Sequence, residues 1–154
     1  MGGMERFRFR LVPLLRLRAQ FERTSRRELA AAMGILATVE QRLAAAALGL
    51  RECAEQGARS DPVGQLAKAL ELGLRRHHWR LQRQQQDATK KVDVARADYA
   101  HKARELRTLQ RLRDQQYDAW RVAAQRAEQA ELDELAALAR GAKAALGDDE
   151  GEVC

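Results

Sequence analysis

Val92, Ala95, Tyr99, Leu106 and Leu109 step along the chain by three, four, seven and three residues, and most of what lies between them is charged or polar. That is one narrow apolar stripe on a helix, broken at Lys102. So narrow a stripe cannot be buried alone and needs a partner helix of the same kind. The chain supplies one. Leu29, Ala32, Leu36, Val39, Leu43, Ala46, Leu50 and Cys53 alternate steps of three and four. Ahead of them Leu11, Leu14, Arg18, Phe21 and Ser25 extend the pattern. Two successive steps of four, Phe21 to Ser25 to Leu29, predict a stutter that relaxes the left-handed supercoil.

Gln56 to Pro62 is the only convincing break between the stripes. Gly57 suits a helix C-cap, Ser60 or Asp61 an N-cap, and Pro62 the first helical position. The expected elements are helix one at about 11–57, a turn at about 57–62 and helix two at about 63–146. Residues 1–10 are expected to be a basic flexible lead-in, and the acidic tail 147–154 to be disordered. Gly34 and Gly49 fall inside helix one but off its stripe.

A short turn between two striped helices makes an antiparallel hairpin. Folding about it sets Cys53 against Ala67, Leu50 against Leu70, Ala46 against Leu74 and Val39 against Leu81. Further from the turn, Leu29 meets Val92, Phe21 meets Tyr99, Leu14 meets Leu106 and Leu11 meets Leu109. Leu36 faces Gln85, and Leu43 faces His77 or His78. The fold class is therefore all-α, a long antiparallel two-helix coiled-coil hairpin. Its second helix overhangs, because nothing in helix one is left to face residues beyond about 112.

Composition agrees. Aromatic residues are 5% and charged residues 32%, too little apolar area for a thick core. The net charge of +6 is unevenly spread. Residues 63–113 hold 13 basic against 5 acidic side chains, and residues 114–154 hold 4 against 10. A basic body attracts acidic proteins, anionic lipid or nucleic acid without choosing among them. Cys53 and Cys154 form no CxxC pair, so neither a disulfide framework nor a zinc site is expected. The longest uncharged apolar run, Leu43 to Leu50, is too short to span a bilayer. The arginine-rich opening lacks a hydrophobic segment with a cleavage site, so no signal peptide is read and a cytoplasmic location is expected.

Little in the chain points to catalysis. His77 and His78 are adjacent and point about 100° apart on a helix, too far to share a metal comfortably, and His101 is more distant. No metalloprotease, phosphate-loop or nucleophile-elbow motif occurs. A hairpin offers no cleft to desolvate a reacting group. No enzymatic activity, cofactor or metal is expected. Trp79 points off the hairpin and Trp120 lies on the overhang, and exposed tryptophans are common interface anchors. Arg75, Arg76, Arg80, Arg83, Lys90 and Lys91 line one stretch of helix two.

Three stretches resemble the FliJ family, the small coiled-coil component of the flagellar type III export apparatus. They are the opening FRFRLVPLLRLR at Phe7 to Arg18, the central KVDVARADYAHKARELRTLQRLRDQQ at Lys91 to Gln116, and RAEQAELDELAAL at Arg126 to Leu138. The resemblance implies a cytoplasmic protein, peripheral to the inner face of the cell membrane at the flagellar base, serving flagellum assembly and hence motility and chemotaxis. It implies a stalk that enters the hexameric ring of the export ATPase, contacts the cytoplasmic part of the export gate and escorts export chaperones. The gate contact carries over to Leu70, Leu74, His77 and Leu81. The ring contact carries over to Arg16, Gln116, Trp120, Arg126, Glu128, Gln129, Asp133 and Glu134. Two other readings compete. One is a basic coiled coil that scaffolds or binds nucleic acid through phosphates alone. The other is the stalk of a virulence-type secretion system.

Overall fold

A computed structural model describes residues 6–147. It holds two helices, α1 (Val12–Gly57) and α2 (Pro62–Gly147), and no strand among the described residues. The acidic tail expected at 147–154 lies outside the described residues apart from Gly147. The chain falls into two units, Leu14–Arg107 and the described parts of Met1–Pro13 with Thr108–Cys154.

The turn is built by Asp61. Its carboxylate accepts a hydrogen bond from the Gly64 N–H at 2.9 Å and pairs with Arg59 at 2.7 Å, so Asp61 is the N-cap of α2. Pro62 opens the helix, where its missing N–H costs nothing. Gly64 is required by space, since a Cβ there would stand 2.1 Å from the Arg59 carbonyl oxygen. Gly57 does not act as the expected left-handed cap, for no described glycine has a positive φ. It is the last residue of α1 and is buried, with the Lys68 stem 3.4 Å from where its Cβ would be.

Within Leu14–Arg107 the two helices pack as an antiparallel hairpin. From Ser25 to Cys53 every position of the sequence stripe on α1 is buried or half-buried, and near the turn Ala47 and Gly49, off the stripe, are half-buried as well. On α2 the seam runs through Ala67, Leu74, Leu81, Ala88, Val92, Ala95 and Tyr99, of which Leu81 is 2% exposed. Three expectations are corrected. Leu70 is 55% exposed, and Glu71 takes the half-buried position nearest the level of Leu50. Phe21 is 41% exposed and Leu14 37%, while Glu22 is buried and Leu15 half-buried. The stutter is therefore absent: Leu15, Arg18, Glu22, Ser25 and Leu29 keep the strict alternation of three and four. An uninterrupted supercoil keeps every later layer in register, and the cost is a carboxylate in the seam. Finally, Lys102 does not break the stripe but occupies its next heptad position, half-buried, with its ammonium on Asp98 at 2.7 Å.

One stretch of α1 is long and apolar enough, by length and composition, to cross a membrane, with a mean hydropathy of 1.2. It does so only by spanning charged residues such as Glu40 and Arg42, which the uncharged run Leu43 to Leu50 leaves out. Its stripe residues Val39 and Ala46 are buried in the seam.

Candidate functional site

The Leu14–Arg107 unit presents its surface near the turn. Val63, Leu66 and Leu70 are all at least half exposed and step by three and four, forming an apolar strip on the outside of α2. His77, one heptad beyond Leu70, is exposed on the same side. Leu74 is half-buried and Leu81 buried. The four residues expected at the gate therefore divide: Leu70 and His77 face outward, and Leu74 and Leu81 are held in the seam. Between His77 and His78 the seam position falls to His78, half-buried at the level of Leu43. Val63 and Leu66 escaped the sequence reading because they repeat the three–four spacing of the seam one residue earlier, about 100° around the helix, and only the register shows which set is covered.

A polar cluster lies farther along this unit. Glu22 pairs with Arg26, Arg18 pairs with Glu105, and His101 stands 3.8 Å from Glu105. The Ser25 hydroxyl, 1% exposed with its residue, donates to the Glu22 carbonyl at 3.0 Å. The Arg26 guanidinium is held above its ordinary pKa by its hydrogen bond to Glu22 and then by Tyr99. The Lys102 ammonium is likewise raised, chiefly by its hydrogen bond to Asp98. No buried side-chain nitrogen or oxygen is left without a partner among the described residues. Such satisfied polar layers fix register rather than perform chemistry. Beside them, Glu28, Lys90, Lys91, Val94, Ala95 and Asp98 line a groove of about 470 Å³. Arg16, expected at the ring, is exposed in this unit.

The second unit is organised by aromatic rings. Phe7 meets Tyr117 edge-on at 5.3 Å and Trp120 at 6.0 Å, and the Tyr117 and Trp120 rings are 5.7 Å apart. Phe9 is 7% exposed, and its carbonyl accepts a hydrogen bond from the Val12 N–H at 3.4 Å. Residues 6–10, expected to be a flexible lead-in, are thus packed against α2. The alternation of Phe7 and Phe9 with arginines does not make a strand; it turns rings inward and charges outward. Arg6 and Arg8 flank Phe7, Gln116 and Trp120 around a cleft of about 570 Å³. Arg113, Asp114, Tyr117 and Phe7 line a second of about 430 Å³. Trp120, read from the sequence as a bare anchor, is half-buried in this cluster.

Beyond it the helix is bare. From 125 to 144 every residue is exposed, including Leu132, Leu135 and Leu138 at 60–70%. Arg126, Glu128 and Glu134 stand free in solvent on this arm, and Gln129 donates to Asp133 at 3.0 Å. Gln116 and Trp120 come together at the cleft, whereas Arg126 to Glu134 spread around the helix.

A protein-family profile described as Flagellar FliJ protein matches residues 7–144, nearly the whole described chain. No curated protein and no solved structure matches the chain.

Proposed function

Since the chain belongs to the FliJ family of flagellar proteins, a family of coiled-coil export components, we propose that it is the stalk of the flagellar export machine. In this reading the unit bearing the aromatic cluster and the bare arm enters the ring of the export ATPase. The turn end, through Leu70 and His77 with Val63 and Leu66 beside them, meets the cytoplasmic part of the export gate. The same surfaces escort empty export chaperones, and the protein works on the cytoplasmic side of the membrane at the flagellar base.

The observation that carries this reading is the arm. A helix of twenty residues with exposed leucines and no neighbour is a surface awaiting a partner. A ring of repeated loops suits it, because distributed charged contacts permit binding without any one strong bond. Leu74 and Leu81 then act as supports that hold Leu70 and His77 outward, not as contacts.

ATP hydrolysis by the export ATPase of the same organism tests the proposal. The full chain is added, or a version ending at Ala124 that keeps Phe7, Tyr117 and Trp120. Stimulation by the full chain that is lost without the arm is the expected result. Equal effects of both versions, or no effect and no co-migration with the ATPase, would overturn it.

A further inference from the structure

The outer face of α2, opposite the seam, carries a basic stripe. Gly73, Arg76, Arg80 and Arg83 step by three, four and three, with Leu72 and Trp79 beside them, and all six are exposed. The Arg83 guanidinium lies 5.1 Å from the centre of the Trp79 ring. A Cβ at Gly73 would meet nothing within 4 Å, so another helix can approach closely there. Arg75 is engaged by Glu71, but Arg76 and Arg80 make no ion pair among the described residues.

The bare arm carries the complementary set. Glu128, Glu131, Leu135 and Leu138 also step by three, four and three, with Leu132 beside Glu131, and all are exposed. Run antiparallel, the two stripes match layer by layer. Arg83 meets Glu128, Arg80 meets Glu131, Trp79 meets Leu132, the alkyl stem of Arg76 meets Leu135, and Gly73 receives Leu138. Charges pair at one end, where the tryptophan also covers a leucine, and at the other Leu135 and Leu138 of the arm lie on an alkyl stem and a glycine. Both stripes are carried by α2.

We propose that this protein self-associates, the arm of one copy lying antiparallel on the Gly73–Arg83 face of a second copy. The contact covers leucines that are otherwise bare, and the arginine and glutamate layers set its direction and register. Each copy carries both halves of the contact.

Sedimentation equilibrium of the purified full chain tests this without any partner protein, so its outcome is independent of the export reading. At about 50 mM salt the mass is expected to rise with concentration above the 17.4 kDa of one chain, and to fall back at about 500 mM salt. R80E/R83E and E128K/E131K should each weaken association about tenfold or more, with helicity unchanged by circular dichroism. An equimolar mixture of the two variants should regain the wild-type mass, because each then offers the charge the other lacks. A wild-type chain that stays monomeric at about 100 μM in low salt would overturn the proposal. So would variants that associate as the wild type does, or a mixture no heavier than its components. Retention of labelled duplex DNA by a chain that remains monomeric would assign the arginines to phosphate, and would likewise overturn it.

Discussion

Arg26 reaches back one turn along α1 to Glu22, so the buried carboxylate of the seam is paired within its own helix. Tyr99 of α2 adds to the hold on Arg26 from across the seam. The Arg26 head lies largely in water, so the pair contributes little net stability, yet removing the arginine leaves a buried carboxylate uncompensated. Glu22→Leu is therefore expected to raise the thermal midpoint, by about 1 kcal/mol or more of stability. Arg26→Ala is expected to lower the midpoint in the wild type and to change it little in the Glu22→Leu background. Circular dichroism melts of the four proteins make the cycle. Equal effects of Arg26→Ala in both backgrounds would show that Glu22 is not what the arginine serves.

Leu81 and Leu70 share a helix and differ in everything that matters for stability. Leu81 is 2% exposed and Leu70 55%. Leu81→Ala should cost about 2–5 kcal/mol in urea unfolding, the price of a cavity in a seam with no second layer to collapse into it. Leu70→Ala should stay within about 0.5 kcal/mol. If Leu70→Ala nevertheless weakens capture of the purified gate domain while Leu81→Ala leaves the folded fraction's capture intact, the outward pair carries that contact.

Trp120→Ala removes a ring that both Phe7 and Tyr117 touch. Such ring pairs contribute about 0.5–1.5 kcal/mol each beyond their area. Amide hydrogen exchange over residues 7–12 should speed up markedly, while exchange at Leu81 and Val92 in the other unit stays as it was. Unchanged protection at 7–12 would mean that Phe9 alone secures this segment.

The Lys102 ammonium has its pKa raised in the folded chain, mainly by Asp98. A basic group raised on folding stabilises fully below its unfolded pKa, and the contribution is lost as pH rises through the folded value. The Lys102 contribution is thus whole at neutral pH and disappears only in the alkaline range above the ordinary lysine value. The difference in urea midpoint between wild type and Lys102→Met should be constant from about pH 7 to 9 and shrink as pH rises past the ordinary lysine value. A difference that holds flat across that range would place the stabilising contact elsewhere.

From Ser25 to Cys53 and, apart from Leu70, from Ala67 to Tyr99 the seam was readable in the residues, because a heptad of apolar positions admits one face and the turn at Asp61 sets one register. The family likeness was readable for the same reason, since it rests on ordered stretches of that pattern. Two matters were settled only in three dimensions. At Phe21 and Glu22 hydrophobicity favours the phenylalanine, but supercoil continuity through Ser25 and Leu29 outweighs one side chain, and a paired Glu22 is buried instead. At Phe7 and Trp120 nothing local links residues so far apart in sequence; their rings meet only where the chain's start lies alongside α2. Periodicity specifies which face of a helix must be covered. What covers it, and which side chain yields where two rules conflict, depends on the partner helix.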